Sequence, residues 1–182
     1  LKSSILYIMK RIILSLVLAC LAYLPIFGQG TLHTYYNMNA SSFRASSDRT
    51  PDGGFIIAGN IGTFNKDVYV TKTDVFGTVQ WSRTLSQAQN EESVDVTYNS
   101  LDSSYYVLYT TQGFTGSLLK LDLQGQVLWD QPLNLGMDIF MGVHNSSLTI
   151  TSDNHILISS ADIDTTNTAH LGLAKLLSLI HI

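Results

Sequence analysis

A ten-residue stretch occurs twice in this chain with four of its positions held. Lys72-Thr73-Asp74-Val75-Phe76-Gly77-Thr78-Val79-Gln80-Trp81 is matched by Lys120-Leu121-Asp122-Leu123-Gln124-Gly125-Gln126-Val127-Leu128-Trp129, so that Lys, Asp, Gly and Trp all recur 48 residues later. Each copy reads as strand, tight turn, strand. An Asp at the first turn position can accept backbone N–H groups two residues on, and a Gly at the fourth supplies the positive φ that closes a hairpin. A chain that repeats one hairpin at a fixed interval builds the same unit again and again. Each unit then has to bury its apolar face against its neighbour.

The flanking segments repeat too. The turn Thr50-Pro51-Asp52-Gly53-Gly54 precedes an apolar run, Phe55–Gly59, and then the alternating segment Asp67–Thr73. In the next unit Ser93–Tyr98, the turn around Asp102, Tyr105–Tyr109, Ser117–Leu121 and Gln126–Trp129 follow in the same order. A third unit opens near Met141-Gly142-Val143, turns at Ser152-Asp153-Asn154 and runs through Ile156–Ser159 to Leu171–Leu176. The turn Asp residues stand at 52, 102 and 153. Four short strands in about fifty residues is the size of one propeller blade. The expectation is an all-β chain: a partial β-propeller of about three four-stranded antiparallel blades, over 42–86, 93–133 and 141–176, with a first strand at Ser42–Ser46. Thr31–Tyr36 matches the fourth strand of a blade with no strands before it. Such an orphan strand completes the last blade of a closed ring.

Roles follow from position. Trp81 and Trp129 each sit four residues after the turn Gly and are expected to pack between neighbouring blades. Lys72 and Lys120 follow the alternation that places them on an outer, solvated face. Asp74 and Asp122 read as turn residues rather than calcium ligands, because a calcium loop needs several carboxylates within a dozen residues.

Composition bounds the function. Hydrophobic residues make up 45% of the chain and charged residues only 13%, so Ser, Thr, Asn and Gln must cover the surface. The net charge of −4 provides no basic field for nucleic acid. The single Cys, Cys20, lies in the N-terminal apolar segment. There Met9-Lys10-Arg11 precedes an apolar run from Ile12 to Phe27 and then Gly28-Gln29-Gly30, the order of a secretory signal peptide over 9–29 with cleavage near Gly28–Gln29. Residues 1–8 read as upstream translation. An uncleaved membrane anchor is the alternative, and Pro25 and the shortness of the run oppose it. No membrane span is expected after cleavage. Val17-Leu18-Ala19-Cys20 resembles a bacterial lipobox, which would instead make Cys20 a lipid anchor.

Catalytic patterns are absent: no Gly-rich phosphate loop, Gly-x-Ser-x-Gly, His-Glu-x-x-His or Cys-x-x-Cys occurs. Glu91-Glu92 reads as a solvated loop rather than a glycosidase pair, which needs separated carboxylates across a groove. Asp162, Asp164 and Asn167 offer too few oxygens for a cation loop. His144, His155 and His170 lack zinc-ligand spacing. Asn145-Ser146-Ser147 matches a glycosylation acceptor. No catalytic, cofactor-binding or metal residue is therefore assigned.

Asp-Gly-Gly-Phe-Ile-Ile-Ala-Gly, Asp-Val-Tyr-Val-Thr-Lys-Thr-Asp and Gly-Thr-Val-Gln-Trp-Ser, all within residues 52–82, resemble the blade repeat of large secreted bacterial β-propeller proteins, and the likeness extends over residues 31–176. Many proteins of that kind carry a C-terminal sorting domain for type IX secretion. The Asp-x-x-Gly-x-x-x-Trp core also resembles a shortened tryptophan-docking motif of quinoprotein-like propellers. That motif has one more residue before its Gly, so quinone binding is not implied. Residues 177–182, Leu-Ser-Leu-Ile-His-Ile, break the repeat and resemble translated sequencing-adapter DNA. A native apolar strand is the alternative. The combined expectation is a fragment of an exported, non-enzymatic propeller on the outer surface of a Gram-negative bacterium. Its partner would be a protein or glycan, with missing blades or a partner closing its open edge. The competing expectation is the N-terminal propeller part of a larger secreted enzyme, such as a carbohydrate-active hydrolase, whose catalytic groups lie elsewhere.

Overall fold

The structure, a computed structural model, describes residues 45–62, 65–86, 90–111, 115–133, 146–163 and 169–176. The expected signal peptide over 9–29 with Cys20, the expected orphan strand at 31–36 and residues 177–182 lie outside them, as do His144 and Asn145. The described residues are all strand, turn and loop. They form three separate antiparallel sheets, none closed into a barrel. The first sheet runs β1 (Ala45–Arg49), β2 (Phe55–Ile61), β3 (Asp67–Thr73) and β4 (Val79–Leu85). The second runs β5 (Glu92–Asn99), β6 (Ser104–Thr111), β7 (Thr115–Leu121) and β8 (Val127–Leu133). The third holds β9 (Ser147–Ile150), β10 (Ile156–Ile163) and β11 (Ala169–Leu176). Each sheet is a simple meander of antiparallel strands.

Packing between the sheets makes the core. Ile56, Ala58, Val68 and Val70 on one face of the first sheet meet Val96, Tyr105, Val107, Tyr109, Leu119 and Leu121 on the second. The opposite face of the second sheet, with Tyr106, Leu108 and Leu118, meets Leu148, Ile156 and Ile158 of the third. The middle sheet is therefore covered on both faces, and Ser104–Thr110 of β6 is buried throughout. This explains why Tyr105–Tyr109 shows no polar alternation, as a doubly covered strand should not. Each fully buried Leu or Ile contributes about 1.5–3 kcal/mol through area removed from water. β2 lies in an outer sheet, so its apolar run splits: Ile56 is buried while Phe55 is 38% exposed.

The repeated turn behaves as its sequence requires. Asp74 Oδ1 accepts from the N–H groups of Phe76 and Thr78, both at 2.8 Å, and Asp122 Oδ1 from those of Gln124 and Gln126 at 2.9 and 2.7 Å. Gly77 and Gly125 take φ of 79° and 75°. Gly125 is constrained a second time, because a Cβ there would lie 2.7 Å from the Trp81 ring. Trp81 spans the gap between sheets, as expected: its Nε1 donates to Leu123 O at 2.9 Å, and its ring lies 5.8 Å from that of Tyr105. Trp129 packs on the core shared by the second and third sheets, 5.8 Å from the Tyr106 ring.

The first strand differs from expectation. It runs Ala45–Arg49 instead of Ser42–Ser46, and residues 42–44 lie outside the described set. Its residues are chosen for polar bonds to the next sheet, so an apolar pattern cannot locate it. The third unit's expected opening at 141–143 also lies outside the described residues, and β9 starts at Ser147. The β1–β2, β5–β6 and β9–β10 turns share a left-handed fourth position: Gly53 at φ 82°, Ser103 at 54° and Asn154 at 61°. Only the glycine adopts this conformation without steric strain. Ser103→Gly is expected to raise the unfolding free energy by about 0.5–1 kcal/mol, and Gly53→Ser to lower it by a similar amount. Urea unfolding midpoints of the two variants check this.

Candidate functional site

A polar region is built from the first strand of each sheet, β1, β5 and β9. In each sheet this strand has one edge with no neighbour in its own sheet, and its outward N–H groups need acceptors. The preceding sheet supplies them from side chains. Ser46 Oγ accepts from Val96 N at 3.2 Å, and Asp48 Oδ2 accepts from Tyr98 N at 2.8 Å and from the Thr97 hydroxyl at 2.9 Å. One sheet further on, Asp95 Oδ2 accepts from Leu148 N at 2.7 Å while its Oδ1 accepts from the Ser46 hydroxyl and Val96 N. By their pairing with the second strand, Ser46, Asp95 and Ser147 occupy equivalent positions, and so do Asp48, Thr97 and Thr149. Two tiers of small oxygen-bearing side chains thus cross the three sheets.

These strands border an open cleft of about 750 Å³, with Asp48, Asp95, Thr97, Thr149, Thr151 and Ser152 among its polar lining. Tyr98, Leu101 and Ile150 add apolar surface. Such a lining can offer hydroxyl donors and carboxylate acceptors to a polyhydroxylated or peptide ligand. Sequence reading singled out neither Asp48 nor Asp95. The signal was present: the first strand of every unit carries Ser, Asp or Thr at two positions spaced by two.

A second recurrent group sits at the turns. Asp52, Asp102 and Asp153 each accept a hydroxyl two residues away, from Thr50, Ser104 and Thr151. Each also pairs with a lysine of the third strand: Lys72 at 2.7 Å, Lys120 at 2.9 Å and Lys175 at 3.3 Å. This corrects the expectation that Lys72 and Lys120 are solvated. The Lys72 side chain is 5% exposed and that of Lys120 15%. The ammonium of Lys72 has all its donors placed, on Asp52, on Thr73 O at 2.6 Å and on Gln80 Oε1 at 3.0 Å. Alternation along β3 carries Lys72 onto the face of Val68 and Val70, and along β7 carries Lys120 onto that of Leu118, so both lysines stand on a face that the next sheet covers. In the second sheet Tyr106 replaces Ile56, its hydroxyl donating to Asp102 at 2.8 Å under the Lys120 ammonium.

The charges respond accordingly. The Lys72 ammonium, then the Thr50 hydroxyl, lower the Asp52 carboxyl from 3.8 to about 2. Burial alone would raise Asp102, but the bonds from Lys120, Ser104 and Tyr106 outweigh it and leave it lowered. Burial would likewise lower Lys120, and its bonds to Asp102 and Tyr106 leave it raised. Asp153 is held well below the usual carboxylate range by the Thr151 hydroxyl and by His155, whose Nδ1 lies 2.8 Å away.

Glu91 and Glu92 do not form a solvated loop. Glu91 is 1% exposed, and Glu92 pairs with Lys66 at 2.5 Å. Glu91 borders a small cavity of about 190 Å³ with Leu85, Tyr109, Leu119 and Asp130. Tyr109 donates to Asp130 Oδ2 at 2.6 Å, and burial followed by that bond raises the phenol well above its ordinary value. The two glutamates diverge because Glu91 N bonds Lys66 O at 2.7 Å, tying the loop between the sheets. Among the described residues no three His, Cys, Asp or Glu side chains gather into a group that could hold a metal ion. The Asp162 and His170 side chains, and residues Asp164 and Asn167, lie outside the described set.

No protein-family model matches the chain, and no curated protein matches it. A solved structure similar to it is that of a protein of unknown function from Bacteroides caccae, determined at 1.35 Å resolution. The two are 13% identical with a TM-score of 0.45, over 72% of this chain and 45% of the other. The chain thus spans less than half the length of that protein, and similarity at this level assigns neither fold nor function.

Lys72→Met is expected to lower the unfolding free energy by about 2 kcal/mol, less than for a fully buried pair because Asp52 is half exposed. Lys175→Met should leave the unfolding midpoint unchanged, as for other exposed pairs. Because the folded pKa of Asp52 is depressed, its contribution is complete above about pH 4 and is lost as pH falls towards about 2. Denaturant unfolding at a series of pH values should show that loss, and Asp52→Asn should remove its share of the slope. Asp95→Ala, which deprives Leu148 N of its acceptor, is expected to lower the unfolding free energy by about 1–3 kcal/mol. It should also speed hydrogen exchange at Leu148 more than at Ile158, whose strand is central in its sheet.

Proposed function

We propose that this chain is part of an exported, non-enzymatic β-propeller repeat protein that serves surface interaction or acts as a scaffold. One observation carries the reading: the recurrent charged and hydroxyl residues serve to hold sheets together. Asp48 and Asp95 satisfy strand edges, Asp74 and Asp122 close turns, and Asp52 and Asp102 anchor lysines. A repeat whose invariant polar positions are structural leaves recognition to side chains that vary between units. The open cleft along the innermost strands, with its mixture of hydroxyls and carboxylates, suits a glycan or an extended peptide. Export through a cleaved N-terminal signal, a type IX route and an outer-surface location in a Gram-negative bacterium belong to the same proposal, supported by the order of residues 9–29 and by the blade-repeat resemblance.

The second reading is that the sheets belong to a larger secreted carbohydrate-active hydrolase whose catalytic groups lie outside them. The same cleft supports it, since propeller enzymes act where loops gather over the innermost strands.

The test expresses the epitope-tagged chain in a Gram-negative host with a type IX system, followed by protease shaving of intact cells and assay of the purified protein on a polysaccharide panel. Surface-accessible tag with saturable glycan or peptide binding and no release of reducing sugar is the expected result. Release of reducing sugar by the purified chain would overturn the non-enzymatic reading, and retention of the tag inside intact cells would overturn the export reading.

A further inference from the structure

We propose that the cavity between the first and second sheets is a binding site for a primary alkylammonium group, free or at the end of a lysine side chain. In that joint the leading face of the first sheet, with Val68 and Leu85, meets the receiving face of the second, with Tyr109 and Leu119. Both sheets have all four strands, so neither wall lacks a neighbouring strand. The cavity holds about 190 Å³, room for a small organic molecule where one ordered water takes about 30 Å³. Its lining divides by chemistry. Val68, Leu85, Leu119 and Val127 give apolar walls, and Ser86, Glu91, Tyr109 and Asp130 give polar groups. Val127 is 51% exposed and marks the mouth, while Glu91 is 1% exposed and lies deep. A mostly apolar pocket with a few convergent polar groups is the usual form of a small-ligand site.

The polar residues here are ones that break the repeat. Strand pairing gives Tyr109 the position of Gly59, and Asp130 that of Ser82. The Tyr109 hydroxyl donates to Asp130 Oδ2 at 2.6 Å, a bond with no counterpart in the first sheet, since Gly59 has no side chain. Repeated positions build the fold, and departures from them are where a site is grafted onto it. Glu91 is brought to the same cavity by the tie of its N–H to Lys66 O at 2.7 Å. Its charge acts on the Tyr109 phenol, which burial first and the bond to Asp130 next hold above its ordinary value. An ionised carboxylate only accepts and has about four lone-pair sites, so Asp130 and Glu91 can take a ligand's donors beside the bonds they already make. This set discriminates among ligands. A bare metal ion would leave the apolar walls unfilled, and among the described residues no three His, Cys, Asp or Glu side chains gather to coordinate one. An anion would meet like charge, and a hydrocarbon would bring no donor to buried carboxylates. An ammonium on a short alkyl stem satisfies both halves, its donors on the oxygens and its methylenes on the valines and leucines.

This site stands apart from the cleft and from export, so its test and theirs can fail separately. Isothermal titration calorimetry of the full chain with n-butylammonium chloride is expected to show saturable binding at a single site, with a Kd of about 1 mM. n-Butanol, matched in length but uncharged, should bind at least about 10-fold more weakly, because it lacks charge-assisted hydrogen bonds. Nα-acetyl-lysine amide distinguishes the two sources of the ammonium. Affinity equal to or above that of n-butylammonium assigns the site to a protein's lysine, weaker binding assigns it to a free amine, and either supports the shared chemistry. Asp130→Asn and Glu91→Gln nearly preserve side-chain volume and should each weaken n-butylammonium binding by about 10-fold or more. Val127→Trp, at the half-exposed mouth, should abolish binding by closing the entrance. It alters no polar group of the cavity, so it decides the matter even where a carboxylate variant fails to fold. No saturable binding of n-butylammonium, equal affinity for n-butanol, or full affinity in Val127→Trp or in both carboxylate variants would each overturn the proposal.

Discussion

The structure depends on one recurrent interface, the leading face of a four-stranded meander against the receiving face of the next. A single meander of this size has two apolar faces and cannot bury either one alone. The first interface combines Ile56, Ala58, Val68 and Val70 with Tyr105, Val107 and Tyr109, and the second repeats it with Tyr106, Leu108 and Leu118 against Leu148, Ile156 and Ile158. The middle sheet is the best buried because it alone takes part in both. Tyr98, Tyr105 and Trp81 add tilted ring contacts at 5.6 and 5.8 Å, the geometry that aromatic quadrupoles favour.

Apolar packing does not fix how far one sheet slides along the next. Polar bonds at the rims do. At the inner rim Asp48 and Asp95 take the outward amides of Tyr98 and Leu148, and each such amide has a fixed place on its strand. At the opposite edge of the first sheet Trp81 and Arg83 of β4 donate to the backbone of Leu123 and Gln124 in the neighbouring turn. Gly125 lets that turn approach the indole, since any Cβ would strike it. The two rims together set register between sheets as turn chemistry sets it within a sheet. Oxygen-rich strands at the inner rim then become the floor of the cleft, so one set of residues provides assembly and a polar surface.

Legibility in the sequence varied with how local each cause is. The Asp-x-x-Gly turns were legible because an Asx bond and a positive φ involve only neighbouring residues. The inter-sheet position of the two tryptophans was legible from the repeat. Lys72 and Lys120 were misplaced because a lysine reads as solvated by itself, while their partners Asp52 and Asp102 lie twenty and eighteen residues away and the face they share with Val70 and Leu118 is covered by another sheet. Glu91 was misplaced because its burial comes from a loop tied to Lys66 in the preceding sheet. Asp48 and Asp95 were passed over because a lone carboxylate in a strand has no meaning until the strand beside it is known.

The sequence alone determined the all-β class, the order of hairpins, the turn conformations and the interval at which they return. Those follow from the two-residue period of strands and the φ preferences of Gly, Asp and Asn, which act over a few residues. Tertiary structure alone decided which faces are core, which carboxylates are committed to amides or ammonium groups, and which surface is left open at Leu171 and Leu173. Those depend on contacts between segments some fifty residues apart, such as Asp48 with Tyr98 and Asp95 with Leu148. An identical residue pattern therefore gives a buried Val70 in the first sheet and an exposed Leu173 in the third, because burial belongs to the neighbour as much as to the residue.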